Sequence, residues 1–570
     1  METTHDLTAG RAMSARRTTA AKRRAKNSAS RRASRPAATP RSVSPGAPAA
    51  PDPDLARRFF IYMVIAMVAA ATILSILAVQ RYRDYYGGRF DLGNMVQAVY
   101  NTAHGHFLQV TTATGKQTSR LGSHVDPILA VFALPWLVWP SPEMLLVAQA
   151  VIVSLAAWPA YRLGLRILGD PRAAFLLSCA LLLYPPLEYA VLNEFHPVTL
   201  AIPLLLFAFA FADEGHWWRA APFLVLAALC KEEIPAVIAV MGLYFALRKR
   251  SFRPLILSAC GIAWFVIAVK VVLPHYSAGG SPFLSRYADL GSNASSIGLN
   301  VVLKPGVTFG HLFAWSNLHY WFHLLWPFGF TSLLSPLTTL IAAPEYVLNA
   351  VASNGFQRSY EFHYVAGEVP FLFAGAVLGV ARLRDFLARG GRRTRLSATR
   401  LTSVSVASLS TAVLGAAVLA NFLLGPLPFS LPGAHFTGHN YAVGGHAKVL
   451  DLALKTIPTA GNVTVSTEND AGSHLSARRI VYTFPDIHNA QWVVVDQKNP
   501  YWFDHPDAVR HSQAVGALVL DQNYQSVYAR DGVYVFKRVA NATTPAGKGT
   551  VPCVTPGATA SPTASSTAAP

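Results

Sequence analysis

The 570-residue sequence has few charged side chains, 14% of the total against about 25% in an average soluble domain. It has only four cysteines, and no His or Cys spacing in it is typical of a zinc site. Acidic residues are fewer than basic ones, 29 against 48. These shortages exclude a disulfide framework and do not indicate a structural zinc site, and we expect no cofactor.

Hydrophobic residues, by contrast, make up 52% of the chain. Residues 59–79, FFIYMVIAMVAAATILSILAV, contain no charge. A helix of this length, at about 1.5 Å per residue, matches a hydrocarbon core of about 30 Å. The segment lies far from the N-terminus and no small-residue cleavage site follows it, so it predicts a retained transmembrane helix.

The formal charge of +19 is concentrated in a few clusters. Residues 1–58 are rich in Arg, Lys, Ala, Ser, Thr and Pro and predict a disordered tail. Further basic clusters occur at Arg162 to Arg172, at 248–253 and at 382–400. Basic residues collect on the cytoplasmic side of membrane proteins, so we expect the N-terminus and these loops to be cytoplasmic and expect no nucleic-acid partner.

Apolar stretches between the basic clusters predict an α-helical polytopic membrane protein with about 9–11 transmembrane helices over residues 59–425. The first outer loop is predicted at 80–143, and its apolar part, 125–140, is too short to span and predicts an interfacial or re-entrant helix. The charge rule also predicts that CKEEIP interrupts the stretch 219–247, and that 319–350 is broken near Pro336.

This topology places a set of polar residues at helix ends on the extracytoplasmic side: Asp91, His124, Asp126, Glu194, His196, Lys231, Glu232, Glu233, Glu361 and His363. A transporter is expected to carry polar groups or broken helices near the midplane. An enzyme that acts on a lipid-linked substrate needs acids and bases at headgroup depth. The pattern therefore favours an enzyme over a transporter.

Each motif also has a structural interpretation. Asp91 precedes a helical pattern and is suited to be its N-cap. His124 with Asp126, and Glu194 with His196, are equally compatible with caps and turns, whereas His104 and His106 are typical loop residues. The charges of CKEEIP are harder to explain structurally, because three adjacent charges in an apolar stretch cost several kcal/mol unless paired or hydrated.

Residues 426–540 change character and predict a small extracytoplasmic α/β domain. Strands are predicted at NVTVS, RRIVYTF, QWVVVD, AVGALVLD and GVYVFKRV, and helices at HAKVLDLALKTIP and HPDAVRHSQ. We expect this domain to cap the site, to bind an acceptor or to be purely structural. Residues 541–570, rich in Pro, Ser, Thr and Ala, predict a disordered tail.

Several motifs resemble, in the same order, the bacterial membrane proteins of domain-of-unknown-function family 2079: FDLGNMVQAVY, SHVDPILAVFALPW, LLVAQAV, NEFHPVTLAIP, CKEEIPAVIAVMGLY, PEYVLNAVAS and FHYVAGEVPFLFAG. The resemblance covers about residues 80–385 and, more loosely, the C-terminal domain. That family is similar in architecture to the C-type (GT-C) glycosyltransferases, multi-pass enzymes that use polyprenyl-phosphate sugars and keep an essential acid in the first outer loop.

The resemblance implies a plasma-membrane glycosyltransferase with a polyprenyl-phosphate-sugar donor and an extracytoplasmic acceptor. Asp91 matches the position of the essential acid and would act as general base or hold the acceptor, while Lys231 or Arg89 would neutralise the leaving phosphate. Candidate substrate-binding residues are Arg89, His124, Asp126, Glu194, His196, Lys231, Glu232, Glu233 and His363. Leu92 follows Asp91 where many such enzymes have a second acid, and no outer Asp-x-Asp pair indicates a metal.

Two other functions stay open at the level of sequence. A transporter or flippase of a lipid-linked or cell-envelope substrate needs a polar path through the bundle, and the sequence shows none. A non-catalytic membrane scaffold leaves CKEEIP unexplained. The sequence names neither the sugar, the acceptor nor the oligomeric state.

Overall fold

The structure, a computed structural model, describes residues 52–277, 283–390, 404–431, 441–498 and 508–539. The predicted basic tail up to residue 51, the basic segment 391–400 and the C-terminal tail 541–570 lie outside the described residues. The described chain begins with α1 (Pro53–Arg83), which extends the predicted segment 59–79 at both ends. Asp52 caps it by accepting a hydrogen bond from the Asp54 amide (3.0 Å).

The secondary structure described in the rest of the membrane region is helical, apart from a small antiparallel hairpin of β1 (Gln109–Thr111) and β2 (Gln117–Ser119). Its further helices are α2 (Leu92–Ala103), α3 (Ala133–Trp136), α4 (Pro142–Ser154), α5 (Ala157–Leu168), α6 (Pro171–Leu182), α7 (Pro185–Leu192), α8 (Ala201–Glu214), α9 (Trp217–Ala228), α10 (Ile234–Lys249), α11 (Leu255–Ile267), α12 (Leu273–Tyr276), α13 (Ala294–Leu303), α14 (Pro305–Leu312), α15 (Trp315–Leu325), α16 (Pro336–Thr339), α17 (Ala343–Ala350), α18 (Val369–Gly390) and α19 (Val406–Leu424).

Five helical segments of the described chain are long and apolar enough to cross a membrane: Pro53–Arg83, Pro142–Leu168, Pro197–Glu214, Leu255–Tyr276 and Val406–Leu424. The pair α6 and α7, bent by 45°, adds a sixth if it forms one span. In the apolar 18-residue stretch of α1 only 17% is buried against protein, and in that of Leu255–Tyr276 only 11%. Such exposed apolar surface is suited to lipid, and the predicted class of helical polytopic membrane protein is confirmed.

The predicted interruptions are present. CKEEIP separates α9 from α10, as the charge rule predicts. The predicted interfacial segment contains a short apolar helix, Pro127–Trp136. Residues 319–350 are broken into short helical pieces, one of which begins at Pro336, where proline fits the first turn of a helix.

The C-terminal domain is α/β, as predicted, with a five-stranded sheet in the order β4-β3-β5-β7-β6. Its strands are β3 (Val465–Thr467), β4 (Val481–Thr483), β5 (Trp492–Asp496), β6 (Tyr524–Arg530) and β7 (Val533–Arg538), and its helices are α20 (Gly445–Leu454), α21 (Asn469–Leu475) and α22 (Ala508–Leu520). The first three strands are mutually parallel, and β6 and β7 are antiparallel.

One predicted strand of this domain is wrong. AVGALVLD continues the helix that begins at Ala508, because Val515 and Leu518, three positions apart, are the residues that enter the core. The structure also adds α21 and β6, which the sequence did not predict. Their short and mostly polar sequences give little periodic signal.

Two sets of charged residues lie at opposite ends of α8 and α10. α8 is preceded by His196 and ends at Asp213 and Glu214, which pair with basic side chains: Arg162–Glu214 at 2.5 Å, Arg166–Asp213 at 2.9 Å and Arg248–Asp213 at 2.5 Å. α10 is preceded by the CKEEIP charges and ends at Lys249. The 18 residues of Pro197–Glu214 separate the two ends by about 27 Å.

Candidate active site

Asp91 occupies the N-cap position of α2, but its side chain makes no capping hydrogen bond. Glu194, which is 102 residues further along the chain, supplies the cap instead: its Oε2 accepts a hydrogen bond from the Leu92 amide at 2.7 Å. Glu194 has a φ of 60°, a left-handed conformation that is uncommon for residues other than glycine. The cap interpretation of Asp91 is therefore wrong, and its carboxylate is left for another partner.

That partner is His196. Its Nε2 lies 3.6 Å from Asp91 Oδ1, and the Asp91 side chain is 52% exposed whereas that of His196 is 8% exposed. The His196 ring stacks on the His363 ring, with centroids 3.5 Å apart. Neither ring nitrogen of His196 has a hydrogen-bond partner among the described residues. A half-exposed carboxylate thus lies beside a buried imidazole whose hydrogen-bonding capacity is not used.

The pKa values of the two acids in this region, Asp91 and Glu194, are shifted in opposite directions. Surrounding protein opposes the charge on Asp91, but the interaction with His196, together with electrostatic interaction with Arg120 and His124, holds the pKa of Asp91 below its ordinary value. Burial first, and the Asp91 charge second, raise the pKa of Glu194 well above its ordinary value. The pKa values of these two neighbouring carboxyls are therefore shifted in opposite directions. Such a difference suits a site that needs one ionised base.

The CKEEIP charges form a second group in the turn between α9 and α10. Lys231 Nζ lies 2.6 Å from Glu233 Oε1, and 5.4 Å from the centre of the Tyr364 ring. Glu232 accepts from both the His124 ring (2.9 Å) and the Val125 amide (2.9 Å). Although burial opposes it, pairing with His124 and the charge of Lys231 lower the pKa of Glu232 to about 2. The turn is therefore a paired charge cluster, as its cost in an apolar setting requires.

His363 connects the two groups, because it stacks on His196 and precedes Tyr364. Burial first, and then electrostatic interaction with His196, Lys231, His124 and Arg286, lower the pKa of His363 well below its ordinary value. The structure thus brings together eight of the predicted residues, which we call the Asp91 cluster: Asp91, His124, Glu194, His196, Lys231, Glu232, Glu233 and His363.

Two predicted substrate-binding residues are taken up by structural contacts. Arg89 is completely buried, and its guanidinium donates to Asn94, Gln97 and the Thr111 and Val481 carbonyls. Asp126 is 2% exposed and pairs with Arg120 at 2.8 Å. Both side chains are enclosed by the fold, so we correct the prediction that they meet the substrate.

Sequence reasoning missed several polar residues beside the Asp91 cluster. Arg286 approaches Gln357 at 3.4 Å and the Tyr364 hydroxyl at 3.5 Å. Glu368 is fully buried and accepts from Tyr320 (2.6 Å) and Asn349 (3.1 Å), and Glu345 is buried nearby on the helix of Asn349. These residues could have been identified from the sequence, because two of the family motifs, PEYVLNAVAS and FHYVAGEVPFLFAG, contain Glu345, Asn349, Tyr364 and Glu368.

A small pocket, with a cavity volume of about 10 Å³ that is close to the minimum needed for one water molecule, lies against Glu194 and Leu92. Its apolar wall consists of Ala78, Leu92, Leu146 and Leu192, and its polar wall includes Arg81, Tyr82, Tyr86 and Glu194. Within the described part of the chain, no group of three or more His, Cys, Asp or Glu side chains is arranged to hold a metal ion.

Comparison with known proteins places these features in a family. The family described as "Predicted membrane protein (DUF2079)" matches residues 81–535, which include every residue of the Asp91 cluster. No curated protein is similar to the chain in sequence. The crystal structure of ArnT from Cupriavidus metallidurans in the apo state is similar with a TM-score of 0.46 and 12% identity, over 84% of this chain and 98% of that chain.

Proposed function

Since the chain belongs to the DUF2079 family of predicted membrane proteins, whose description names no reaction, its chemistry must be inferred from its own residues. We propose that it is a membrane-embedded glycosyltransferase of the GT-C-like kind, which moves a sugar from a polyprenyl-phosphate donor to an acceptor on the outer face of the plasma membrane. Membrane lipids and the lipid-linked donor are its partners in this proposal.

The observation that carries the proposal is the position of Asp91. A carboxylate at the start of a helix is normally used to cap it. Here Glu194 caps α2, so Asp91 is free to face His196, half-exposed and with a lowered pKa. An ionised carboxylate beside an open surface is the form that a general base requires.

In the proposed reaction an acceptor hydroxyl attacks the anomeric carbon of the donor sugar. The new bond joins the acceptor oxygen to that carbon, and the bond from the carbon to the phosphate oxygen breaks. Polyprenyl phosphate leaves with the bonding electron pair, and Asp91 takes the hydroxyl proton. General-base assistance of this kind contributes typically 10² to 10⁴ in rate, on the order of 3–5 kcal/mol.

Lys231 is the proposed counter-charge of the donor phosphate. It is paired with Glu233, so an incoming phosphate must compete with that carboxylate. Burial, followed by the charge of Glu232, raises the pKa of Glu233, which makes the loss of its negative charge less costly.

The arrangement of charge supports the orientation. The basic residues Arg162, Arg166 and Arg248 lie at the ends of α8 and α10 that are remote from the Asp91 cluster. Basic residues favour the cytoplasmic side, so the Asp91 cluster and the C-terminal domain belong on the extracytoplasmic side in this proposal.

A transfer assay tests the function. Purified protein in liposomes would be given radiolabelled polyprenyl-phosphate hexoses together with cell-envelope extract as acceptor. The proposal predicts acceptor-dependent loss of sugar from the lipid, with one polyprenyl phosphate released for each sugar transferred. Absence of release with every donor and extract would contradict it.

A second candidate, a transporter or flippase, is favoured by one observation. Glu345 and Glu368 are buried beside Tyr320 and Asn349, and these polar residues were not among the predicted ones. Polar residues buried in a membrane protein often mark a substrate or ion path. A flux assay in sealed liposomes separates the candidates, because a flippase moves the intact lipid-linked substrate across the bilayer and leaves its sugar–phosphate bond unbroken.

A further inference from the structure

The loop that carries Asp91 packs against the C-terminal α/β domain. Asn469, the first residue of α21, receives the Arg89 amide on both its backbone oxygen (2.8 Å) and its Oδ1 (2.9 Å). The Phe90 amide also approaches that Oδ1, at 3.4 Å. Asn469 therefore holds the two residues that immediately precede Asp91, although they are 380 positions away in sequence.

The packing around this contact leaves the loop little space. A Cβ atom on Gly88 would lie 2.8 Å from Asn469 Nδ2, and one on Gly93 would lie 2.7 Å from Ser476 Oγ. Ser473 donates to the Gly87 carbonyl at 2.7 Å. Gly88 on the loop and Gly93 in the first turn of α2 thus allow α21 and Ser476 to approach the backbone on both sides of Asp91.

The same helix also holds the end of the first transmembrane helix. His474 stacks between Tyr82 and Tyr85, with ring centroids 4.1 and 4.0 Å away, and contacts the Tyr82 carbonyl at 3.0 Å. Arg89 adds a further link, since its guanidinium donates to the Val481 carbonyl of β4 at 2.9 Å. Tyr82 and Arg89 precede Asp91 in the sequence, and Gly93, which packs against Ser476, follows it.

We propose that the C-terminal domain is a structural part of the active site and that Asn469 is the positioning residue which fixes Asp91 for its reaction. This inference rests on the proposed function of Asp91 as a base. It assigns the domain a positioning role, because the domain's own residues hold the loop. Catalytic groups lose efficiency steeply with misplacement, about 10²-fold for 1 Å in unfavourable cases.

The test uses three variants of the full-length protein in liposomes. Asn469→Ala removes the side-chain acceptor for the Arg89 amide, whereas Asn469→Asp keeps an oxygen at that place. Ser466→Ala is the matched control, since Ser466 is also buried in the C-terminal domain but its hydroxyl donates to the Asp486 carbonyl of the same domain at 3.1 Å. Melting temperature, kcat, donor KM and hydrogen exchange of residues 87–97 are measured for each.

We expect N469A to lower kcat about 10- to 100-fold with donor KM nearly unchanged, and to speed exchange of the Arg89 amide. N469D should restore most of the turnover, and S466A should resemble the wild type. Unchanged exchange in N469A, or faster exchange with wild-type kcat, would overturn the positioning role. If the wild type transfers no sugar, the proposed function fails, and the exchange data alone still decide whether Asn469 fixes the loop.

Discussion

Lys231 and Glu233 offer a pair of substitutions with opposite expected effects. Lys231→Met keeps the apolar stem but removes the charge, so donor binding should weaken about 10- to 100-fold, the loss expected for a charged hydrogen bond of about 1.5–3 kcal/mol. Glu233→Gln removes the competing carboxylate and should leave donor binding unchanged or tighter. Equilibrium binding of a polyprenyl-phosphate hexose measures both, and a weaker donor affinity in E233Q would contradict the role of Lys231.

His196 provides a pH test of the base. Its interaction with Asp91 favours the ionised carboxylate, so Asp91 should lose its charge only below its ordinary pKa of about 3.9. In His196→Gln the Asp91 pKa should rise, and the acidic limb of the kcat/KM profile should move to higher pH.

The control for this experiment is His216→Gln. His216 lies beyond the opposite end of α8 and contacts Glu214 at 3.1 Å, so it should not alter the acidic limb. An acidic limb in the His196 variant that coincides with the wild-type limb would show that another group limits the rate.

The sequence predicted the members of the Asp91 cluster better than their roles. Eight of ten candidate residues come together, since one side of the membrane collects the polar helix ends of a polytopic chain. Arg89 and Asp126 were misassigned because burial of a charged side chain depends on distant residues, such as Val481, that no local pattern reveals.

At the scale of elements, the cap of α2 by a distant residue has a measurable consequence. Glu194→Leu removes the acceptor of the Leu92 amide and should cost about 1 kcal/mol of local stability, the usual value of an N-cap. Glu194→Gln keeps an oxygen acceptor and should cost less. Hydrogen exchange of the first turn of α2 reports the difference, and equal exchange in the two variants would argue against the cap.

Helices with long apolar patterns were predictable, whereas short elements were not. The break at CKEEIP followed from the charge rule, because the number of membrane crossings must return the basic cluster 248–253 to the cytoplasmic side. That rule acts over a whole transmembrane segment. AVGALVLD was predicted as a strand because a short apolar run is compatible with the periodicity of a strand and with that of a helix. Its helical state depends on the packing of Val515 and Leu518 in the core. Local sequence does not contain that packing information.

At the scale of the whole molecule, the proposed orientation predicts which cysteines are accessible from each side. In a variant lacking all four native cysteines, Cys179, Cys230, Cys260 and Cys553, single cysteines at Thr114 and Lys455 should react with an impermeant maleimide from outside. A cysteine at Arg253 should react only after the membrane is permeabilised. The reverse pattern would place the Asp91 cluster in the cytoplasm and contradict the use of an extracytoplasmic acceptor.

The class of membrane protein was visible from composition and apolar stretches, and the α/β domain from its pattern of short strand-like and helix-like segments. The union of that domain with the first loop was not, because it rests on hydrogen bonds between residues some 380 positions apart. Such contacts depend on the complete fold, and the sequence pattern of neither segment predicts them.

The central claim is that Asp91 performs chemistry and is not a helix cap. The most direct measurement is single-turnover sugar transfer by Asp91→Asn, with Asp289→Asn, an exposed acid, as the matched control. We expect the D91N rate to fall by about 10² to 10⁴ while donor affinity and melting temperature stay near the wild-type values, and D289N to transfer normally. A folded D91N protein that transfers sugar at the wild-type rate would contradict the account.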